Sequence, residues 1–573
     1  MKNNFNVIGI HNTGVLSSAC LISNGNIKFA STEERFSRIK YDGSFPIQTI
    51  NYILKNFKLK LDDINHFAIG WNPGENLSMR YRASFSNNFR YPGDLLSSVS
   101  NNILGKLDSS YTDSTSLNFL KDKKKVSIKF VNHHLAHVSL AASSSNFKNA
   151  SILVADGWSE NSTTSFYVKK NSKINLIKKF EFPQSLGCMY SSFTDFLGYK
   201  PLLDEWKVMG MAAYGKINKY KSKLNNIYFF DEKNLFNLDL KYFDFNNFDR
   251  KNWYTKKMIE IFGKPRKRNE KILKRHYDIA ACAQYLFELA MNSYLRFLKK
   301  NNKSENLILS GGCAMNCLYN GKIKDLNIYK NIHIPFAPDD SGNSLGAAIK
   351  VSEDYGIKLK SNKIDSFLGY EEKINCQEKL RNYGIKFKTF NNLDKKIAFI
   401  AEELNKDKVI AYFSGKAEFG PRALGNRSIF ASPNNKNMKN IINSKIKFRE
   451  KFRPFAPMIK EENLEKFFLT NSDKSKVKFM EKIYKFKTKY KNQFPAVVHK
   501  DRTGRLQTIN KKDNPFLWKL LNHLENQFNI KLMINTSFNL NGEPIANSFD
   551  DALRTFYTSG LDILIINNHC ITK

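Results

Sequence analysis

Phe5-Asn6-Val7-Ile8-Gly9-Ile10, then Ser18-Ala19-Cys20-Leu21-Ile22, then Ser23-Asn24-Gly25-Asn26 and Ile27-Lys28-Phe29-Ala30-Ser31: this is the stretch that decides the fold. The three apolar runs are too short for helices, and Asn-Gly between two of them is a hairpin signal because both residues tolerate positive φ. The rhythm returns at Ile152 to Ala155, Asp156-Gly157, Thr164 to Val168 and, past Asn171, Ile174 to Ile177. Two such units, each followed by helical segments, predict a duplicated α/β domain with a cleft between its halves.

Beyond them, an amphipathic helix over about Asp278 to Lys299 leads to a strand at Leu307 to Leu309, then Ser310-Gly311-Gly312 and a new helix. Strand, glycine pair and helix can bring backbone N–H groups up to a phosphate. A bare Gly-Gly more often only makes a tight turn. The polar, Lys-rich stretch Ser352 to Asp365 reads as a linker, giving domains at 1–355 and 366–573. Strands near Val409 to Phe413, Lys531 to Ile534 and Leu561 to Ile566 make the second domain α/β as well.

At 573 residues the chain is too long for one core, and 42% hydrophobic with 13% aromatic residues excludes a disordered chain. The net charge of +38 is spread over Lys/Asn/Ile/Phe-rich stretches, so it reads as a surface bias and nucleic acid is not the expected partner. Seven scattered cysteines without a C-x-x-C pair fit reduced thiols in a cytoplasm. No run is long enough for a membrane span or a secretory leader, so a soluble, unprocessed protein without a membrane partner is expected.

Several clusters could carry chemistry. His133 and His137 are four apart, so on a helix they share a face and could hold one metal ion. Two histidines alone are as readily structural. Asp156, at a strand end, and Asp340, in Pro338-Asp339-Asp340-Ser341-Gly342-Asn343, are candidate further ligands. Imidazole with carboxylate suits iron(II), zinc or another divalent ion. Glu33 to Lys40 packs two acids and three bases into eight residues, ordinarily a solvated helix face, but Asp42-Gly43-Ser44-Phe45-Pro46 would bend it back towards the first hairpin. In the second domain, Glu418 to Ser428 and Lys447 to Phe455 set Arg422, Arg427, Arg449 and Arg453 among glycines, prolines and aromatics. Such surroundings can fix guanidinium forks for phosphate. Arg505-Leu506-Gln507-Thr508 and Asn535-Thr536-Ser537 add polar groups, the latter after an apolar strand where open sheets bind ligands. A Walker P-loop is missing from the sequence.

These residues carry a resemblance. From about Phe5 to the C-terminus the chain resembles the NodU/CmcH carbamoyltransferase family at Glu33 to Pro46, His133/His137, Asp156-Gly157, Ser185 to Tyr190, Glu205 to Gly215, Ser310 to Asn316, Glu418 to Ser428, Phe448 to Pro457 and Asn535 to Pro544. The resemblance implies a TsaD-like N-terminal domain of the actin/sugar-kinase type and a smaller YrdC-like C-terminal domain. It implies an O-carbamoyltransferase: carbamoyl adenylate is made from carbamoyl phosphate and ATP, with Mg(2+) accompanying the nucleotide, and the carbamoyl group passes to a hydroxyl of a sugar, nucleoside or other natural product. Iron(II) would be held by His133, His137, Asp156 and Asp340. Lys40 would meet carbamoyl phosphate, and Asp156 would take part in the transfer. Arg422, Arg453, Arg505, Asn535 and Ser537 would hold the nucleotide, with Gly157, Trp158, Gly311 and Gly312 as further binding positions. A homodimer is compatible with it.

One departure stands out: where the family has a His-Asp pair, this sequence reads Val15-Leu16. His11 could serve as the catalytic base only if Asn12-Thr13-Gly14 folds back, because four extended residues span about 13 Å. Two alternatives stay open: a threonylcarbamoyl-type tRNA modification enzyme, and a non-catalytic relative without its base.

Overall fold

The computed structural model describes residues 4–72, 126–247, 250–361, 364–449, 453, 455–470, 476–490 and 492–573. Glu450, Lys451, Phe452 and Pro454 of the arginine-rich motif lie outside them. Two compact units emerge. Unit 1 is Met1–Glu33, Gly43–Asn316 and Leu326–Ile364; unit 2 is Asp365–Lys573 together with Glu34–Asp42 and Cys317–Asp325.

Among the described residues, unit 1 holds two five-stranded sheets and a small two-stranded one. In the first, β1 (Asn6–His11), β2 (Ser18–Ser23) and β3 (Asn26–Thr32) run antiparallel, and β4 (His66–Ile69) and β5 (Ile128–Phe130) add in parallel, giving the order β3-β2-β1-β4-β5. The hairpin between β2 and β3 turns at Asn24 and Gly25, both at positive φ. In the second, β6 (Asn149–Ala155), β7 (Ser162–Lys170) and β8 (Lys173–Glu181) are the antiparallel set. A small hairpin, β9 (Tyr228–Phe230) with β10 (Phe236–Leu238), precedes β11 (Asn306–Ser310) and β12 (Asn331–His333). The latter two join β6 in parallel, so the order is β8-β7-β6-β11-β12, a repeat of the first. Both β1 and β6 are apolar and almost wholly buried, as central strands must be.

Close backbone approach locks the helices onto this frame. A Cβ on Gly9 of β1 would strike the Ser344 carbonyl, and one on Gly346 would strike that of Ala136. The helix Asn343–Asp354 is thereby pressed between β1 and the helix His133–Ser143. The charged run after β3 is not a solvated helix face. Only Glu34–Ser37 is helical, Arg38 and Tyr41 have positive φ, and Glu33, Glu34 and Arg35 are buried. Glu33 accepts the N–H groups of Gln48 and Thr49 and so caps the helix Ile47–Asn56.

Unit 2 is built on an eight-stranded mixed sheet. Its strands are β13 (Lys388–Thr389), β14 (Ile410–Phe413), β15 (Arg427–Ala431), β16 (Ala456–Lys460), β20 (Gln507–Ile509), β21 (Met533–Ser537), β22 (Ile563–Ile566) and β23 (His569–Thr572); β17 (Phe468–Leu469), β18 (Ile483–Phe486) and β19 (Thr503–Arg505) form a separate sheet. In the order β13-β23-β22-β14-β15-β21-β16-β20, the strands bearing the polar motifs, β15, β21, β16 and β20, are consecutive. Arg427 is fully buried here: its guanidinium lies 3.8 Å from the Phe413 ring centroid and donates to the Ser414, Gly415, Asn426 and Tyr370 carbonyls. It braces the motif from beneath.

Candidate functional site

In unit 1 the helix His133–Ser143 is capped by Asn132, whose side chain accepts from the Leu135 N–H, and by Glu160, which accepts from the His133 N–H at 2.9 Å. His133 and His137 project from one face, T-shaped to each other with centroids 4.8 Å apart. Asp156 follows the end of β6, and Asp340 opens the turn before Asn343–Asp354. One ligand atom from each of the four lies within 4.8 Å of all the others. His137 Nε2 is 3.1 Å from Asp156 Oδ2 and 3.6 Å from Asp340 Oδ1; His133 Nε2 is 3.7 Å and 3.4 Å from the same atoms.

The donor set fits a cation. His137 Nε2 and Asp156 Oδ2 are buried without a hydrogen-bond partner, so they converge without satisfying each other. His133 Nδ1 sits 3.3 Å from the Gly70 carbonyl and 3.0 Å from the Asn343 amide, which leaves its Nε2 to face the carboxylates. Burial pulls His133 down, but Asp340 and Asp156 outweigh it and hold its pKa well above 6.5. For Asp156, burial and the Asp340 charge push upward, yet the two imidazoles bring it down to about 2. These are strongly interacting groups, as expected where two anions meet two bases out of water.

Asp156 is positioned by its neighbours. A Cβ on Gly311, which has φ +88°, would strike the Ala155 carbonyl, and one on Gly312 would come within 3.0 Å of Asp156 Oδ1. The glycine pair is thus more than a turn: it admits β11 to the back of this carboxylate. Gly157 donates its N–H to Asp156 Oδ1 at 2.8 Å, and Ser185 donates to the Gly157 carbonyl at 2.5 Å. Trp158 stacks on Trp253 at 6.4 Å. His11, at the end of β1, lies with its Nε2 3.5 Å from Asp340 Oδ2 and 3.1 Å from Thr13 Oγ1. Its side chain has no exposed surface, and burial lowers its pKa against the pull of Asp340.

In unit 2 Lys40 is held by both oxygens of Glu34, at 3.0 and 2.9 Å. Asn535 donates to the Ala423 carbonyl at 3.1 Å, next to Arg422, and to Gln507 Oε1 at 2.7 Å; Gln507 in turn donates to the Leu424 carbonyl. Ser537 donates to Asn539 Oδ1 at 2.6 Å. Arg505 Nε and Asn535 Oδ1 are buried without a hydrogen-bond partner. The sequence reading missed Lys447 as a functional group. It is buried, and its ammonium donates to Asn539 Oδ1 and the Asn539 carbonyl, both at 2.9 Å, and to Ser537 Oγ at 3.3 Å. Burial, then the charges of Arg449, Arg453 and Lys40, lower its pKa well below 10.5. The sequence reading also missed Glu160, whereas Gln507, Asn539 and Lys447 lay inside stretches it singled out without a role of their own.

Comparison with known proteins matches residues 6–349 to the carbamoyltransferase N-terminus and residues 401–573 to the carbamoyltransferase C-terminus. An uncharacterised protein of Synechocystis sp. is 31% identical, with 97% of this chain and 95% of that protein covered. Nodulation protein NolNO of Sinorhizobium fredii is 30% identical over 97% of this chain and 78% of its own length. Among solved structures, full-length HypF in a phosphate- and nucleotide-bound form shows 13% identity and a TM-score of 0.30, covering 64% of this chain and 57% of that one.

Proposed function

The chain belongs to the NodU/CmcH carbamoyltransferase family and is a carbamoyltransferase, and from that premise we propose that it works through carbamoyl adenylate and delivers the carbamoyl group to a hydroxyl of a sugar or natural-product acceptor. The observation that carries this reading is the convergence of His133, His137, Asp156 and Asp340 in unit 1. It is supported in unit 2 by the paired amides of Asn535 on β21 and Gln507 on β20, and by the cations Arg449, Arg453 and Lys40 whose charges reach buried Lys447.

Carbamoyl phosphate and ATP are both polyanions, so cations must offset their repulsion before they can meet. Lys40, Lys447 and Arg453, with Arg422 and Arg505, are the groups we assign to this task; Asn535 and Ser537 orient the nucleotide. Atom balance fixes the products. Carbamoyl phosphate yields its phosphoryl group to water as inorganic phosphate, the carbamate oxygen attacks the α-phosphorus of ATP, and pyrophosphate leaves. In the second step the acceptor oxygen bonds to the carbamoyl carbon as AMP departs, and the hydroxyl proton must be lost. When bound by His133, His137, Asp156 and Asp340, a divalent ion, iron(II) on the family resemblance, supplies Lewis acidity at that point. Asp340, whose side chain is 30% exposed, is the ligand that an acceptor can reach, whereas the other three are nearly closed off.

The test is to incubate the full chain with ATP and carbamoyl phosphate and count products. Equal amounts of phosphate and pyrophosphate, each dependent on both substrates, are expected, and addition of an acceptor should give a product heavier by one carbamoyl group. Pyrophosphate release that ignores carbamoyl phosphate would sink the adenylate route.

A further inference from the structure

Two further imidazoles border the four convergent ligands, His134 on the same helix and His11, and of these His11 is the one within 4 Å of a ligand carboxylate. It closes β1, its ring centroid lies 5.6 Å from that of His133, and its Nε2 points at the outer oxygen of Asp340, 3.5 Å from Oδ2, while Asp340 Oδ1 faces His133 and His137. Thr13 Oγ1 holds the same nitrogen at 3.1 Å. With no exposed side-chain surface, His11 sits behind Asp340 with respect to any entering molecule.

We propose that His11 is a positioning residue: with Thr13 it fixes the Asp340 carboxylate so that Oδ1 stays turned into the metal centre, and it does not itself contact the acceptor. The physical reason lies in the local structure. Asp340 belongs to a single short turn, Asp340–Gly342, and is the most exposed of the four ligands, so its carboxylate is the one least constrained by packing. The imidazole set 3.5 Å from the outer oxygen, itself held by Thr13, restricts that freedom, as ligand-orienting groups commonly do. Strand β1 supplies a rigid mount, because all six of its residues are buried and Gly9 abuts Ser344 on the helix that follows Asp340. Sequence spacing alone suggested that His11 would have to fold back to replace a missing base. The structure instead gives it a different neighbour, the carboxylate of a ligand.

This inference rests on the metal-centre reading, and the experiment separates the two. Cobalt(II) alone is titrated into wild type, His11→Ala, His11→Gln and Asp340→Ala, following the visible absorption of the bound ion. Wild type should bind one equivalent, and His11→Ala should bind about 10- to 100-fold more weakly, the range typical for loss of a ligand's orienting partner. His11→Gln, whose amide can still donate to Asp340, should recover most of that loss and keep the wild-type band shape. Asp340→Ala should change the band shape itself. Equal affinity for wild type and His11→Ala would overturn the positioning role while leaving the metal centre intact. A changed band shape in His11→Gln would overturn it as well, making His11 a ligand. If wild type binds no cobalt(II), the metal-centre reading falls and this one with it. Should His11→Ala fail to fold, His11→Leu, which fills the space without a donor, carries the decision: a loss of about 10- to 100-fold relative to His11→Gln is expected, and equal affinity of the two would overturn the positioning role.

Discussion

Lys447 shows what one buried cation does in unit 2. Its pKa is held well below 10.5, by burial first and by Arg449, Arg453 and Lys40 second. A lysine depressed in the fold destabilises at pH below its folded value, and that cost fades as pH rises from there towards 10.5, so this residue alone makes stability increase with pH across the window. A phosphate arriving beside it favours the charged form. Calorimetric titration of ATP in two buffers of different ionisation enthalpy should therefore show proton uptake, and Lys447→Met should abolish the uptake and weaken binding by about 1.5–3 kcal/mol. Absence of uptake in wild type at every pH up to 10.5, together with unchanged affinity in Lys447→Met, would mean that this side chain never meets an anion. His133 and His137 left a trace in their four-residue spacing and Asp156 in its place at a strand end, while Asp340, in a turn before a helix, joined them as a set through the family resemblance. Glu160, which caps the histidine helix from a loop, left none, since its partner His133 is distant along the chain.

At the scale of elements, strand positions followed from apolar runs and Asn-Gly turns, and the observed β1, β2, β3 and β6 differ from those readings mainly at their ends. The nature of the Glu33 to Lys40 run did not follow, because burial of a charged segment depends on partners elsewhere in the chain. Arg38 donates to the Pro544 and Ile545 carbonyls and pairs with Asp551 at 3.1 Å, contacts that no local pattern encodes. The Gly311 junction yields a sharp expectation. Its φ of +88° with ψ 163° is a conformation that only glycine adopts readily, and Ala155 already occupies the space of a Cβ. Gly311→Ala should cost about 1–3 kcal/mol in chemical denaturation, and it should lower cobalt(II) affinity because the displaced β6 end carries Asp156. A variant with full stability and unchanged affinity would show that the junction does not position the ligand.

For the whole molecule, the division of labour proposed above has a simple signature. Chelation of divalent metal, with excess Mg(2+) restored for the nucleotide, should stop transfer to the acceptor while carbamoyl-phosphate-dependent pyrophosphate release continues. Loss of both together would show that the two reactions do not reside in separate units. The charge of +38 makes a second expectation. Adsorption to RNA should fall steeply as salt rises, as counterion release requires, and vanish near about 0.2 M. Retention of tRNA above that point would favour the RNA-modifying alternative.

Unit 2 gathers Glu34–Asp42 and Cys317–Asp325 to itself although both precede the linker by sequence. Within it, Asn320 donates to the Glu481 carbonyl and Gly321 leaves no room for a Cβ beside Ile483. A chimera that grafts the back half of one relative onto the front half of another at residue 365 would hence inherit two foreign pieces inside the transplanted module. Recombination that respects these boundaries must move three stretches of gene at once, and hybrids joined at a single crossover should assemble poorly even when both parents are active.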